Sequence, residues 1–261
     1  MVDAFLAATF LFLKTGEKFA TQEVAGPTVG LLTAYVGDKV GVKFDPRVMN
    51  DPVKAAEFCS AEKPPVGIVT PGFYLQYAKA LGMEPLLETK RTGVKQERYV
   101  LVARKDANDD LAKWQGKTIA TPLAGEQRYV MSVVLQGKLG EELRLKQVND
   151  VEGAVFDLAD GAKDAADAVL MEAGTWKLFE KDGELGPKLK VVFTSDELPG
   201  NLVVLLGSKG DPVNADKLKV ALKEMNGSES GKQVLSSIRV DAFVEIDKGR
   251  LTQAQARFYG K

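Results

Sequence analysis

The stretch Lys117-Thr118-Ile119-Ala120-Thr121-Pro122-Leu123-Ala124-Gly125-Glu126-Gln127-Arg128-Tyr129 joins a short apolar run to a turn and then to a helical pattern. Residues 117–121 have the length and composition of a buried strand. The following segment, 126–136, presents Val130, Val133 and Val134 on one helical face. A strand followed by a helix is the repeating unit of an α/β fold with parallel strands.

The same unit recurs on both sides of this stretch. Before it, the predicted strands are 9–13, 42–48 and 66–69, and the predicted helices are 28–35, 51–58 and 73–81. After it, the predicted strands are 143–148 and 168–171, and the predicted helices are 151–158 and 175–180. The phrases Val48-Met49-Asn50-Asp51 and Gln147-Val148-Asn149-Asp150 each end a strand and supply an N-cap for the next helix. We therefore predict two similar lobes.

Two extended segments, 98–103 and 201–206, are predicted to connect these lobes. Lobe 1 is then residues 1–98 and 200–261, with tail helices at 214–224, 229–236 and 252–258, and lobe 2 is residues 99–199. The predicted fold class is a two-lobed α/β architecture in which each lobe is a mostly parallel sheet flanked by helices. Two crossing strands would form a hinge that closes on a ligand in the cleft between the lobes.

Composition excludes several classes of function. The chain has 35 basic and 36 acidic residues, so it has no excess of positive charge, and we expect no nucleic-acid partner. It has no histidine, which rules out a Ser-His-Asp relay and every histidine-based zinc site. We therefore expect no catalytic residues, no metal and no cofactor, and we expect a monomer. The single cysteine, Cys59, lies in a helical pattern and is predicted to be a buried, inert thiol.

The apolar start of the chain, Ala4–Leu13, is too short to span a membrane. It lacks a basic leader and a small-residue cleavage motif, so we interpret it as part of the first strand and expect that this chain carries no signal peptide.

Three phrases carry a resemblance to a known family: Val66–Tyr74, Tyr99–Asp106 and Leu111–Ala120. Their order resembles the type II periplasmic binding proteins, and within them the phosphate-, phosphite- and phosphonate-binding group of ABC transporters. The resemblance covers nearly the whole chain. It implies a periplasmic or lipid-anchored location, a membrane transporter or partner carrier protein, and ligand binding by loops at the carboxyl ends of strands. Open α/β sheets favour the same place, because helix N-termini there offer free N–H groups to anions.

The candidate ligand-binding residues follow from this placement, since each lies at or near the end of a predicted strand. They are Thr15, Thr70, Phe73, Tyr74, Thr121, Glu126, Tyr129, Leu170, Met171 and Asn201.

The turn after residue 121 departs from the pattern of the phosphonate-binding relatives, in which it is rich in Ser and Thr. Here Pro122 lacks an N–H donor, and Glu126 stands where an anion would bind. Two like charges ~4 Å apart at an effective dielectric constant of ~20 repel by roughly 4 kcal/mol, or about three decades of affinity. Arg128 would offset part of this, and a glutamate in a first helical turn also has a purely structural explanation through the helix dipole. We expect no tight phosphonate binding.

The ligand expected instead is largely apolar with one polar group, because several candidate residues are apolar or aromatic. Some members of the resembled group look like bacterial periplasmic sterol carriers, and a sterol-like lipid fits the altered turn. Core packing is the alternative explanation for Leu170 and Trp176. Three other functions remain open: an importer protein for a phosphonate- or phosphate-type oxyanion, an enzyme on the same fold, and a sensory module.

Overall fold

The computed structural model describes residues 7–139, 142–207 and 213–260. The part of the apolar start that precedes residue 7 lies outside these residues. The strands of the described chain are β1 (Ala8–Leu13), β2 (Phe44–Met49), β3 (Val66–Val69), β4 (Glu84–Arg91), β5 (Tyr99–Arg104), β6 (Thr118–Thr121), β7 (Arg144–Gln147), β8 (Ala168–Glu172), β9 (Leu189–Thr194), β10 (Leu202–Leu205) and β11 (Val240–Val244).

The helices alternate with these strands for most of the chain. They are α1 (Gln22–Val40), α2 (Pro52–Glu62), α3 (Pro71–Leu81), α4 (Gln127–Tyr129), α5 (Val151–Asp160), α6 (Ala173–Glu180), α7 (Ala215–Lys223), α8 (Glu229–Ser237) and α9 (Lys248–Tyr259). Single 3-10 turns occur at Leu111–Lys113, Ala124–Glu126 and Met225–Gly227. No helix in the described ranges is both long enough and apolar enough to cross a membrane.

The described residues form two compact units. Unit 1 contains the residues up to Thr15, Phe19–Val94 and Pro199–Lys248. Unit 2 contains Gly16–Lys18, Lys95–Leu198 and the residues from Gly249 onward.

Unit 1 is built on a six-stranded sheet in the order β11-β4-β10-β3-β1-β2. Its core combines sheet residues such as Phe10 and Ile68 with helix residues such as Leu32 and Leu218. Phe10 also meets Phe44 edge to face, with ring centroids 5.6 Å apart. Cys59 is buried as predicted, and burial raises the pKa of its thiol to about 12, which keeps it protonated and unreactive at neutral pH.

Unit 2 is built on a five-stranded sheet in the order β7-β6-β8-β5-β9. One face of this sheet packs Val102, Ala120 and Val169 against Val155 of α5 and Trp176 of α6. The two units therefore have separate cores of the same general plan, which confirms the predicted two-lobed α/β class.

The sheets are mixed, whereas we expected mostly parallel sheets. β1, β2 and β3 pair in parallel, and so do β6, β7 and β8. The remaining pairs, which involve β4, β5, β9, β10 and β11, are antiparallel. The parallel strands are the ones that the strand–helix alternation predicted. Strands β4, β9 and β11 were missed, since each contains at least one charged residue that interrupts its apolar positions.

The predicted connecting segments are ordinary members of the sheets. β5 pairs only with β8 and β9 among the described strands, and β10 pairs only with β3 and β4. The chain passes from unit 1 to unit 2 between Val94 and Lys95, and returns between Leu198 and Pro199. Hinge closure stays a prediction.

The end of the chain groups with unit 2, although we expected residues 200–261 to belong entirely to lobe 1. Helix α9 is held by ion pairs from Arg250 to Glu197 and from Arg257 to Asp196, the latter at 2.6 Å. The Arg257 guanidinium is also the main cause of a lowered pKa of Asp196. Glu197 and Asp196 lie more than 50 positions before their partners in α9. Hydrophobic periodicity, which is a local pattern, cannot predict such ion pairs.

The outer edge of β2 is covered by one side chain, Gln22 at the start of α1. Its amide Nε2 donates to the carbonyl of Pro46 at 3.0 Å, and its Oε1 accepts from the backbone N–H of Val48 at 2.8 Å. β2 is the last strand of its sheet. The Pro46 carbonyl and the Val48 N–H point away from β1, because the backbone groups of the odd-numbered residues of β2 are the ones that bond to β1. The amide of Gln22 therefore takes the place of a further strand and protects this edge from pairing with another chain.

We predict that Gln22→Ala lowers the free energy of unfolding by about 2 kcal/mol, because two partly buried hydrogen bonds are lost. Urea denaturation measures this change. Gln76→Ala on α3 is the matched control, since Gln76 is exposed. Equal midpoints for the two variants would mean that the edge contacts contribute nothing.

Candidate functional site

The carboxyl edge of the unit 1 sheet holds four of the predicted residues in the segments that follow β1 and β3. Thr15 is buried two residues after β1, and Thr70 directly follows β3. The Thr70 hydroxyl caps α3 by accepting from the N–H of Phe73 at 3.3 Å. Phe73 and Tyr74 follow in the first turn of that helix.

Asn201 lies at the same edge, because β10 runs antiparallel to β3 and begins beside its carboxyl end. Its carbonyl accepts from the N–H of Thr89 in β4 at 2.8 Å. The Thr89 side chain is 4% exposed, and its hydroxyl has no hydrogen-bond partner among the described residues. A Cβ on Gly200 would collide with the Thr89 carbonyl, so this close approach requires glycine.

Sequence reasoning missed Thr89. The residue lies in Glu88-Thr89-Lys90, within a strand that has no apolar alternation to reveal it. A buried, unpartnered hydroxyl at a strand-end edge is nevertheless the kind of group that a ligand oxygen satisfies.

In unit 2 the corresponding edge is formed around Thr121, the fully buried last residue of β6. Its hydroxyl accepts from the N–H of Leu123 at 3.2 Å, which leaves the hydroxyl proton as a donor. The carbonyl of Pro122 accepts from Gln147 at 3.0 Å, and Gly16 is packed directly against Pro122. The turn is therefore fixed in position.

The segment after this turn is not the regular helix that we predicted over 126–136. A 3-10 turn, Ala124–Glu126, leads into α4, and Val130–Val134 continues as a π-helix. The N–H of Leu135 accordingly bonds to the carbonyl of Val130, five residues back, at 2.8 Å. Single π-turns inside helices occur frequently at functional sites.

Glu126 and Tyr129 are both buried in unit 2, at 7% and 4% exposure. Burial, together with the carboxylates of Glu126 and Glu97, raises the pKa of Tyr129, so its hydroxyl stays protonated. Arg128, which we expected to offset part of the repulsion of an anion by Glu126, contacts Phe258 in this structure. Its Nε donates to the carbonyl of Phe258 at 3.1 Å, and its guanidinium lies 4.6 Å from the centre of the Phe258 ring.

The apolar candidates are core residues. Leu170 and Met171 of β8 are 0% and 1% exposed, and Phe73 of α3 is also fully buried. Met171 packs in the same hydrophobic cluster as Trp176. Core packing, the alternative noted for Leu170 and Trp176, therefore accounts for these side chains.

Ser195 is a further buried polar residue at the unit 2 edge that the sequence did not indicate. Its hydroxyl accepts from the N–H of Tyr99 at 2.9 Å and donates to the carbonyl of Asp196 at 2.7 Å. It is fully used in fixing the start of β5. Among the described residues, no group of three or more acidic or cysteine side chains is arranged to hold a metal ion.

A family model described as an ABC transporter, phosphonate, periplasmic substrate-binding protein matches residues 20–250. The chain belongs to this family. It is therefore a periplasmic solute-binding protein of the ABC transporter type, and the family is one of binding proteins rather than enzymes. No curated protein sequence matches the chain.

Solved structures share the fold of this family member. The protein XAC2383 from Xanthomonas citri, bound to ATP, is 14% identical with a TM-score of 0.72, over 97% of this chain and 98% of that one. PhnD1 from Prochlorococcus marinus, in complex with methylphosphonate, is 14% identical with a TM-score of 0.64, over 97% and 99%. The periplasmic aliphatic sulphonate-binding protein SsuA from Escherichia coli is 12% identical with a TM-score of 0.54, over 97% and 74%.

We predict that Thr89→Val raises the free energy of unfolding by about 1 kcal/mol, because it replaces a buried, unpartnered hydroxyl with a methyl group of the same shape. Urea denaturation of the ligand-free protein measures the change. The matched control is Thr33→Val, since the buried Thr33 hydroxyl donates to the carbonyl of Gly30 at 3.1 Å and its loss must destabilise the fold. A Thr89→Val protein that is as destabilised as Thr33→Val would show that the hydroxyl has a partner.

Proposed function

We propose that this protein captures a small oxyanion of the phosphonate and phosphate type and delivers it to the membrane component of an ABC importer. The observation that carries the proposal is the match of the phosphonate-binding family model over residues 20–250. This was the alternative to the sterol-like ligand that we first expected.

Three similar structures support an oxyanion, because two of them hold ATP and methylphosphonate and the third is of an aliphatic sulphonate-binding protein. ATP, methylphosphonate and aliphatic sulphonates each carry a phosphorus or sulfur centre with negatively charged oxygens. The shared fold places helix starts beyond the carboxyl ends of parallel strands, where backbone N–H groups favour anions.

Each unit offers one hydroxyl group at its own strand-end edge as a donor to such a ligand. In unit 2, Thr121 accepts from the backbone and has its proton to donate. In unit 1, the Thr89 hydroxyl is buried without a partner among the described residues. Hydrogen bonds from hydroxyls to anionic oxygens are shorter and stronger than those between neutral groups. These two donors offer part of what the missing Ser/Thr cluster provides in relatives. Thr15, Thr70, Tyr74 and Asn201 are proposed as further ligand contacts.

Glu126 is the main objection to an anion, and its burial weakens that objection. Its Oε2 atom has no solvent-accessible surface, and its carboxylate is close enough to Tyr129 to raise the pKa of that hydroxyl. The repulsion of about 4 kcal/mol that we expected assumed a carboxylate ~4 Å from the ligand. Because the repulsion falls with distance, we propose that the oxyanion binds at the strand-end edge away from this enclosed carboxylate.

The sterol-like ligand has lost its structural support. The apolar side chains on which it rested, Phe73, Leu170 and Met171, are packed in the cores of the two units, where their apolar surface is already used. Their burial already stabilises the two units and leaves little apolar surface for a lipid.

The test is calorimetric titration with methylphosphonate and with inorganic phosphate. We predict binding to at least one of them, weakened about tenfold to a hundredfold by Thr121→Val, because a hydroxyl bond to a charged group is lost. Thr118→Val is the matched control, since Thr118 begins the same strand at its opposite end. No binding heat from either anion would refute the proposal, and saturable uptake of cholesterol alone would restore the sterol-like ligand.

A further inference from the structure

Unit 2 contains a cavity of about 440 Å³ that is remote from the carboxyl ends of its parallel strands. Arg104 ends β5, Lys117 precedes β6 and Asp167 precedes β8, and all three line the cavity. β5 runs antiparallel to β8, with Ala103 opposite Ala168. The cavity therefore lies at the edge where β6 and β8 begin, at the other end of the sheet from Thr121. Its volume is within the range of small-molecule pockets, about 300–1,000 Å³.

The charged groups of the cavity leave an excess of one positive charge. The Arg104 guanidinium pairs with Asp106 at 3.3 Å, and the Lys117 ammonium pairs with Asp167 at 2.8 Å. Lys113, the last residue of a 3-10 turn, also lines the cavity. Within the described ranges Lys113 has no ion-pair partner, so one ammonium group is available to an anion.

The other wall of the cavity is apolar. It includes Trp114, whose indole N–H donates to the carbonyl of Asn108 at 2.9 Å, and Leu158 of α5. The indole nitrogen is thus satisfied, and Trp114, which is 4% exposed, borders the cavity with the small part of its ring that packing leaves uncovered. The alanines of this wall are Ala107, Ala162, Ala165 and Ala166.

The Arg104 guanidinium lies beside the backbone at the end of α5. Gly161 has a positive φ of 63° and ends the helix, and a Cβ there would collide with the Arg104 guanidinium. A cation at a helix C-terminus is favoured by the helix dipole. The cavity therefore has a cationic side and an apolar side.

We propose that this cavity is a second ligand site, which takes a small organic monoanion with an apolar or aromatic body, such as an aromatic carboxylate. The carboxylate of the ligand is bound by the ammonium group of Lys113 and by the side of the Lys117 ammonium group that faces away from Asp167. The ring lies against Trp114 and Leu158. The site is independent of the proposed oxyanion ligand, because every lining residue belongs to unit 2 and lies at the opposite edge of its sheet.

The two tryptophans of the chain allow a site-specific test. Trp114 lines the cavity, whereas Trp176 belongs to the core cluster. In a Trp176→Phe protein, Trp114 is the only indole, and benzoate is expected to quench or shift its fluorescence with saturation at millimolar concentration. Benzamide has the same shape as benzoate but no charge. We expect its dissociation constant to be about fivefold higher, because one charge pair in water contributes about 1 kcal/mol.

Lys113→Gln is expected to weaken benzoate about fivefold and to leave benzamide unchanged. Lys177→Gln is the matched control, because Lys177 is an exposed lysine of unit 2 on α6, away from the cavity. No saturable change with benzoate, equal binding of benzoate and benzamide, or equal effects of the two lysine variants would each overturn the proposal.

A second measurement covers the case in which Trp176→Phe does not fold. Fluorine NMR of 4-fluorobenzoate with the unsubstituted chain reports binding by line broadening, and Lys113→Gln is expected to reduce it. The proposal would also be overturned if the 4-fluorobenzoate line were no broader with the protein than without it, or equally broad with the Lys113→Gln variant. Methylphosphonate is expected to leave the Trp114 signal unaltered, so the two sites succeed or fail separately.

Discussion

Parallel pairing of three strands in each unit is the constraint on which the rest of the structure depends. β1, β2 and β3 pair in parallel in unit 1, and β6, β7 and β8 do so in unit 2. Parallel strands must be joined by crossovers, so every loop that follows them emerges at one edge of the sheet. Polar residues that are far apart in the sequence, such as Thr15 and Thr70, therefore lie at the same edge. The antiparallel strands then add groups such as Thr89 beside them.

The predictable part of the fold is the part that this constraint governs. The apolar runs 66–69 and 168–171 are buried strands, and the caps Asp51 and Asp150 begin α2 and α5 as expected. Thr70 and Thr121 lie at strand ends because strand, turn and helix follow one another locally in the sequence. The same local logic placed Cys59 in the core.

What the sequence did not predict depends on contacts between distant segments. β4 is a largely polar strand whose partners, β10 and β11, are far away in the chain. The unpartnered Thr89 hydroxyl is apparent only once β4 is placed beside β10. The ion pair from Arg257 to Asp196, which draws α9 to unit 2, joins residues 61 positions apart. The turn at Glu126 was expected to present a carboxylate to the ligand, whereas tertiary packing buries it.

The central claim is that the carboxyl edges of the parallel strands bind an oxyanion. Amide chemical-shift mapping of the isotope-labelled chain during titration with methylphosphonate tests it most directly. The account predicts that the largest shifts fall on Thr121–Leu123 in unit 2 and on Thr70, Thr89 and Asn201 in unit 1. Largest shifts at the opposite edge of unit 2, around Lys113 and Lys117, or no shifts at any anion concentration, would contradict it.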